Sequence, residues 1–413
     1  MRKKIKLYIT IAHLLLLTII IYPLTDNGGL YVPLIYFMYI SPALIIFLCL
    51  NQFKRDELPL WGVIPLLFIS YLSAPSQFRV STVIYSCMFI WTFILYKRLI
   101  YAKSISINTY KKTLKCIITS YFIVLVIQQT SYVLGLPIPN INFAEEGFKL
   151  NSLSYEASYV AALLPLVMLS IIKSDEIIQN KSAEITAHFR SEKQTWAMFL
   201  YTIFTCGAST VFFTFPIFIL YLFKKKISIT EFVGILTVIF AGIYLINTFN
   251  PTLFDRQSRL IPAFISLESK KIIETDRSAS TRIIPFLEFY GKLKSIDASL
   301  IWGYGVDYSK QQFSKIIVND SKREIGAGGM VAFIIDYGLI AGLLFLTSLI
   351  KLTSKSIWSY ESLLYFSCFF IFGFNNYLTW SYLALMTTNK YFLRSKEIEN
   401  IKVRSLKNQL SNI

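Results

Sequence analysis

Histidine and cysteine are scarce, with two and five residues in a chain of 413. His13 falls in the first apolar run and His188 in a basic connection, while Cys49, Cys87, Cys116, Cys206 and Cys368 stand far apart without a CxxC or any ligand spacing. Residues so placed build neither a metal cluster nor a disulfide framework, so no metal and no cofactor is expected. The simplest reading is a packed His13, a solvated His188 and cysteines within the core. Charge is scarce as well, at 16% of residues, and long polar stretches are confined to one segment. That leaves little room for a separate soluble domain.

Apolar length is abundant. Hydrophobic residues make up 54% of the chain, and runs of about 20, the length needed to cross a bilayer, recur almost from end to end. This implies an all-α polytopic membrane protein. The 34 Phe and 26 Tyr suit lipid-facing packing and interfacial belts, so they carry no argument about ligands. The basic, apolar N-terminus resembles a signal peptide, but no small-x-small cleavage site precedes TDNGG, and it is expected to stay attached.

The formal charge of +17 raises the question of nucleic acid, which the placement of the cations answers. Lys97, Arg98, Lys103, Lys111, Lys112 and Lys115 lie between two apolar runs with no acid among them, and Lys224, Lys225, Lys226 and both chain ends repeat the pattern. Short basic connections of this kind mark the cytoplasmic side of a membrane. With no basic folded domain to hold nucleic acid, the charge reads as topology, and the expected partner is the lipid bilayer.

On that basis spans are expected at residues 7–24, 30–50, 58–73, 80–96, 114–136 and 154–173, and at 229–249, 328–350, 357–374 and 377–391. Residues 196–223 are too long for one comfortable span and have basic flanks on both sides. A hairpin of two short helices turning at Gly207-Ala208-Ser209-Thr210 reconciles this, with two full spans as the alternative. The total is about 12 transmembrane helices, both termini inside, with one large external loop between the ninth and tenth. The chain thus divides into N-terminal spans (1–250), the loop (251–327), C-terminal spans (328–391) and a basic cytoplasmic tail (392–413).

Chemistry has few places to reside. The loop carries Arg256 and Arg259 in FDRQSRL and Arg277 and Arg282 in DRSASTR, and guanidinium forks held against a membrane suit a lipid-linked phosphate. IWGYGVDYS sets Gly303 and Gly305 two apart, a spacing that permits a tight turn and close backbone approach to a ligand, with Asp307 just beyond. GAGGMVAFIIDYGLIAG opens the tenth span and places Asp336 within it, where an acid is a functional suspect by default. NSLSYEASYVAALLPLV places Tyr155 and Glu156 where the sixth span begins. There Glu156 is either a reactive carboxylate or a favourable charge in a first helical turn, with Asn151, Ser152 and Ser154 as cap formers.

Taken in order along the chain, SYEASYVAALL, DRSASTR, IWGYGVDYS and DYGLIAG resemble the motifs of the O-antigen polymerase and ligase superfamily, the Wzy-type polysaccharide polymerases in particular. Two departures stand out. The hairpin turn reads GASTV where relatives often carry Ser-Arg, and the loop has no histidine where ligases typically have one, which favours polymerase over ligase. The resemblance implies transfer of a growing glycan from undecaprenyl pyrophosphate to a hydroxyl of a lipid-linked repeat unit, at the outer face of a bacterial cytoplasmic membrane. It also implies Arg282, Arg256 and Arg277 at the pyrophosphate with Arg259 beside them, Glu156 as base or arginine partner, and Tyr155, Gly303, Gly305, Asp307 and Asp336 at the substrate. A flippase and a chain-length regulator are the partners such an enzyme would have. A ligase, a transporter of lipid-linked sugars and a non-catalytic assembly subunit remain open alternatives.

Overall fold

A computed structural model describes residues 54–73, 80–102, 105–140, 150–179, 185–224, 268–318, 329–353 and 356–410, apart from 155, 209, 276, 295–297, 357 and 372, together with a few isolated positions. The described helices are α1 (Leu58–Ser73), α2 (Val80–Tyr101), α3 (Ile107–Val133), α4 (Ala157–Gln179), α5 (Ile185–Ser191), α6 (Lys193–Thr205), α7 (Val211–Lys224), α8 (Ser269–Thr275), α9 (Arg277–Leu293), α10 (Ala298–Trp302), α11 (Tyr308–Val318), α12 (Gly329–Thr353), α13 (Tyr360–Ile371) and α14 (Tyr377–Leu410). Among the described residues there is no strand. Among the described residues four helices, α2, α3, α4 and α12, are long and apolar enough to cross a membrane. The expected spans at 7–24 and 229–249, and most of 30–50, lie outside the described residues, as does His13.

Helix α4 is the axis of the bundle. Its sequence is apolar on every side, as a helix surrounded by others requires, and 89% of its apolar window is buried. It packs against α3, α7 and α14, while α1 and α12 make a second closely packed pair. Helices α6 and α7 have 13 and 14 residues, about 20 Å each at 1.5 Å per residue, and the chain turns between them through Gly207 at φ 73°. Residues 196–223 are therefore a hairpin of short helices. Its turn rests on the segment leading into α4, where the Leu150 amide donates to the Cys206 carbonyl, and α7 is tied to α4 itself by the Thr214 hydroxyl donating to the Ala161 carbonyl.

Several boundaries differ from expectation for one electrostatic reason. Helix α2 runs on past residue 96 through Lys97 and Arg98, and α3 begins at Ile107, with Ser106 accepting from the Thr109 amide, so Lys111, Lys112 and Lys115 are helical rather than looped. Acids distant in sequence meet these cations. Lys97, fully buried, pairs with Asp56 at 2.6 Å and Glu57 at 3.1 Å, and Arg98 pairs with Glu57 at 2.8 Å. Lys111 reaches Asp175 at 2.5 Å and Glu192 at 2.9 Å, Lys115 reaches Glu192, and Lys173 reaches Glu361. His188, expected in solvent, is buried here: its Nδ1 accepts from Trp196 Nε1 at 3.0 Å and its Nε2 lies 3.1 Å from Asp175. Of the described cysteines, Cys87, Cys206 and Cys368 are buried and Cys116 is exposed. Helix α14 continues to Leu410, so the basic tail is an extension of the last helix, about 51 Å long in all.

Removing one member of a buried ion pair strands its partner's charge, at a cost of about 3–5 kcal/mol. Glu57→Ala removes the carboxylate shared by Lys97 and Arg98 and leaves Lys97 with the partly exposed Asp56, whereas Lys97→Met leaves Glu57 paired with Arg98. Thermal unfolding in detergent should therefore show a much larger fall for Glu57→Ala. Equal falls would mean that Glu57 does not hold the pair. Glu192 gives a pH prediction. Burial alone would raise its carboxyl, but hydrogen bonds from Lys115 and Lys111 outweigh that and hold it below the usual value near 4.5. A lowered folded-state pKa contributes stability above the unfolded value and loses it as pH falls through the folded one. The melting midpoint should drop on acidification below about pH 4.5, and Glu192→Gln should reduce that drop.

Candidate functional site at the glycine turn

Helix α12 is broken at Gly338, where φ is 90° and ψ 163°. The two halves bend toward each other until Ile334 fills the space beside Gly342. A break frees carbonyls from their intrahelical donors, and at membrane depth something must replace those donors. The replacement is the turn following α10. The Tyr304 amide donates to the Ile335 carbonyl at 2.9 Å and the Gly305 amide to the Asp336 carbonyl at 3.2 Å, with the Ser70 hydroxyl of α1 also donating to the Asp336 carbonyl.

This pairing explains the glycines. A Cβ on Gly303 would stand 2.3 Å from the Asp336 carbonyl oxygen, and one on Gly338 would stand 2.3 Å from that of Ile301. Both residues also have left-handed φ, 101° and 90°. The close approach expected of Gly303 and Gly305 is thus made to α12, within the protein.

The two acids of this region are similarly engaged. Asp336 is buried and takes the Ser309 amide on one carboxyl oxygen at 2.7 Å and the Ser309 hydroxyl on the other at 2.9 Å, which ties the start of α11 to α12. Asp307, buried and left-handed at φ 62°, accepts from Thr82 at 2.8 Å and pairs with Lys310 at 2.8 Å. Polar contacts continue across the same end of the bundle. Ser86 donates to Asn375 at 2.6 Å, and Asn376 donates to the Tyr159 hydroxyl at 2.7 Å, three residues from Glu156. Sequence reasoning misses these side chains; the pair Asn375-Asn376 between two apolar helices is the available signal.

Glu156 precedes α4 rather than standing in its first turn. It is half-buried, its carbonyl accepts the Tyr159 amide, and its carboxylate accepts from Ser158 at 2.7 Å. The expected cap formers anchor the approach segment to α3 instead: Ser152 bonds the Tyr121 carbonyl through its hydroxyl and Gln128 through its amide, and Ser154 meets the Tyr121 hydroxyl. Arg277 and Arg282 lie in the first half of α9, with no acid in its first turn, and only their backbone is described. Arg256, Arg259 and Tyr155 lie outside the described residues.

Residues expected in a loop form a second helical layer here. Ile272 of α8, Ile284 of α9 and Phe313 and Ile317 of α11 enclose a small core with Val331 and Ile335 of α12. The same stretch of α12 sends Phe333 and Tyr337 into the main core. With residues four apart on each of two faces, it joins the layers.

Comparison with protein families, curated proteins and solved structures finds no match to this chain.

Alanine at Gly303 or Gly338 should lower the melting midpoint sharply. Left-handed backbone alone costs about 1–3 kcal/mol, and the clash with backbone adds to it. Gly135, at φ 65° with nothing within 4 Å of where a Cβ would stand, isolates the first contribution. If Gly135→Ala lowered the midpoint as much as the other two, the backbone contact would contribute nothing.

Proposed function

We propose that this protein is a polysaccharide polymerase of the Wzy type, a membrane glycosyltransferase acting at the end of the bundle that holds the glycine turn. The observation that carries this reading is the gathering of four separated segments at that end. The approach to α4 with Glu156, the start of α2 with Thr82, the GYG turn with Asp307, and the broken α12 with Asp336 are linked by the polar contacts described above. The order and kind of these motifs match the superfamily resemblance.

In the reaction, a sugar hydroxyl of the incoming lipid-linked repeat unit attacks the anomeric carbon of the growing glycan. A carbon–oxygen bond forms there as the bond to undecaprenyl pyrophosphate breaks. Pyrophosphate departs with additional negative charge, which nearby fixed cations stabilise. Arg282 and Arg277 suit this role as guanidinium forks, and Arg277, the first residue of the 17-residue α9, also stands among the free amides of its first turn. Arg256 and Arg259 are assigned beside them from sequence. Glu156 is the proposed acceptor of the hydroxyl's proton, since Asp307 and Asp336 already serve Lys310, Thr82 and Ser309. The last two are therefore positioning residues in this reading. In this reading the active face is the outer side of the cytoplasmic membrane, and the basic residues gathered at the opposite end support that orientation.

Deleting the gene should reduce the surface glycan to a single repeat unit on a sizing gel. Wild-type protein should restore the ladder, and Arg282→Ala or Glu156→Gln at equal abundance should not. Full-length polymer stranded on its lipid carrier would identify a ligase instead, and repeat units trapped on the cytoplasmic side a transporter.

A further inference from the structure

Helix α9 is apolar on two faces, and among the described residues only one of them is packed against a core. Ile284 is fully buried in the second core, with Ile283, Leu287 and Phe289 packed against it. On the other face Phe286, Tyr290 and Leu293, spaced as i, i+4 and i+7, form an exposed stripe, with Phe286 at 49% and Tyr290 at 58%. Helix α10 adds Trp302, exposed at 49%. Packing against lipid is normal for the spans, but α9 and α10 belong to the second layer, where apolar exposure needs its own explanation.

Three observations select the occupant. First, α10 packs on α1 and α12 at the break in α12, close to Ser70 near the end of α1. Phe68, Ile69 and Leu72 of α1, all exposed, lie within two residues of Ser70, so α10 with its exposed Trp302 meets an apolar helix whose own side chains are exposed. Second, the stripe is rich in Trp, Tyr and Phe, the residues enriched where hydrocarbon meets water. Third, a lysine lies along the stripe. Lys294 is 5.2 Å from the centre of the Tyr290 ring, an arrangement that keeps the ammonium beside an apolar body as in snorkelling side chains.

We infer that α9 and α10 lie in the interfacial zone of the bilayer, with Phe286, Tyr290, Leu293 and Trp302 inserted between phospholipid headgroups and the upper acyl chains. The second layer is then a monotopic attachment to the membrane that the bundle crosses. Insertion is driven by the apolar face and persists in zwitterionic lipid, while Lys294 strengthens it in anionic lipid. If the polymerase reading also holds, the same placement carries Arg277 and Arg282 to the depth of lipid phosphates, but the attachment does not depend on it.

The test uses the full chain with Cys116→Ser, reconstituted in phosphatidylcholine vesicles with and without phosphatidylglycerol. A spin label is attached at Phe286→Cys, Tyr290→Cys, Trp302→Cys or, as reference on another face of α9, Glu288→Cys. Collision with oxygen, which concentrates in lipid, should exceed collision with a water-soluble nickel chelate at the first three positions, and the ratio should invert at 288. Chelate access at 290 and 302 equal to that at 288 would overturn the inference. So would exclusion of both agents with dipolar broadening between labels, which would mean that a second copy covers the face. These readouts involve no glycan, so loss of the polymerase reading leaves them intact.

Discussion

Where α12 breaks at Gly338, the carbonyls of Ile335 and Asp336 turn to amides of the Tyr304–Gly305 turn, and much of the molecule is arranged around that exchange. An unpaired backbone carbonyl in an apolar surrounding costs about 1–3 kcal/mol, and neither water nor lipid can be relied on to satisfy it within a bundle. The turn can reach only because neither Gly303 nor Gly338 has a side chain. Once seated, it brings Asp307 to Thr82 and presents the Ser309 amide to Asp336, so the start of α11, the start of α2 and the middle of α12 are placed together. The second layer is attached through this contact and through Val331 and Ile335.

The opposite end of the bundle solves a different problem with charge. Lys97 and Glu57 are both removed from solvent, and their mutual attraction offsets the desolvation only because Asp56 and Arg98 complete the set. Lys111 performs the same service for Asp175 and Glu192, which belong to different helical segments. His188 extends this set toward Trp196, and with its Nδ1 accepting from the indole, its Nε2 is the nitrogen that faces Asp175. Residues that mark membrane topology in the sequence thus also fasten α2, α3 and α4 to their neighbours.

The two ends of the bundle are held by different forces. Rigid ion pairs hold one end of the helices, while hydroxyl, amide and carboxylate groups from four separated segments converge at the other. Among the described residues, the acids at that second end are Asp307 with Lys310, Asp336 and Glu156, and the remaining contacts are hydrogen bonds between neutral groups. Such a framework positions side chains on helices and a locked turn rather than on free loops, which is what a site needs for fixed geometry.

How much of this is legible depends on range. Helix and strand periods, span length and breakers are local properties, so α1 can be placed at 58–73, α2 can be started at residue 80, and the short hairpin can be turned at Gly207 from sequence. Partners are not local. Nothing near Lys97 names Glu57, so a helical, buried lysine reads as part of a loop, and nothing near His188 names Asp175 and Trp196. Asn151, Ser152 and Ser154 have the composition of a cap, yet Tyr121 and Gln128 from another helix take their bonding groups. By itself the sequence determined that this is an apolar, helical membrane protein and which residue types could do chemistry. Only the tertiary structure decided that Gly303 approaches Gly338, because a missing side chain permits a contact without stating with what.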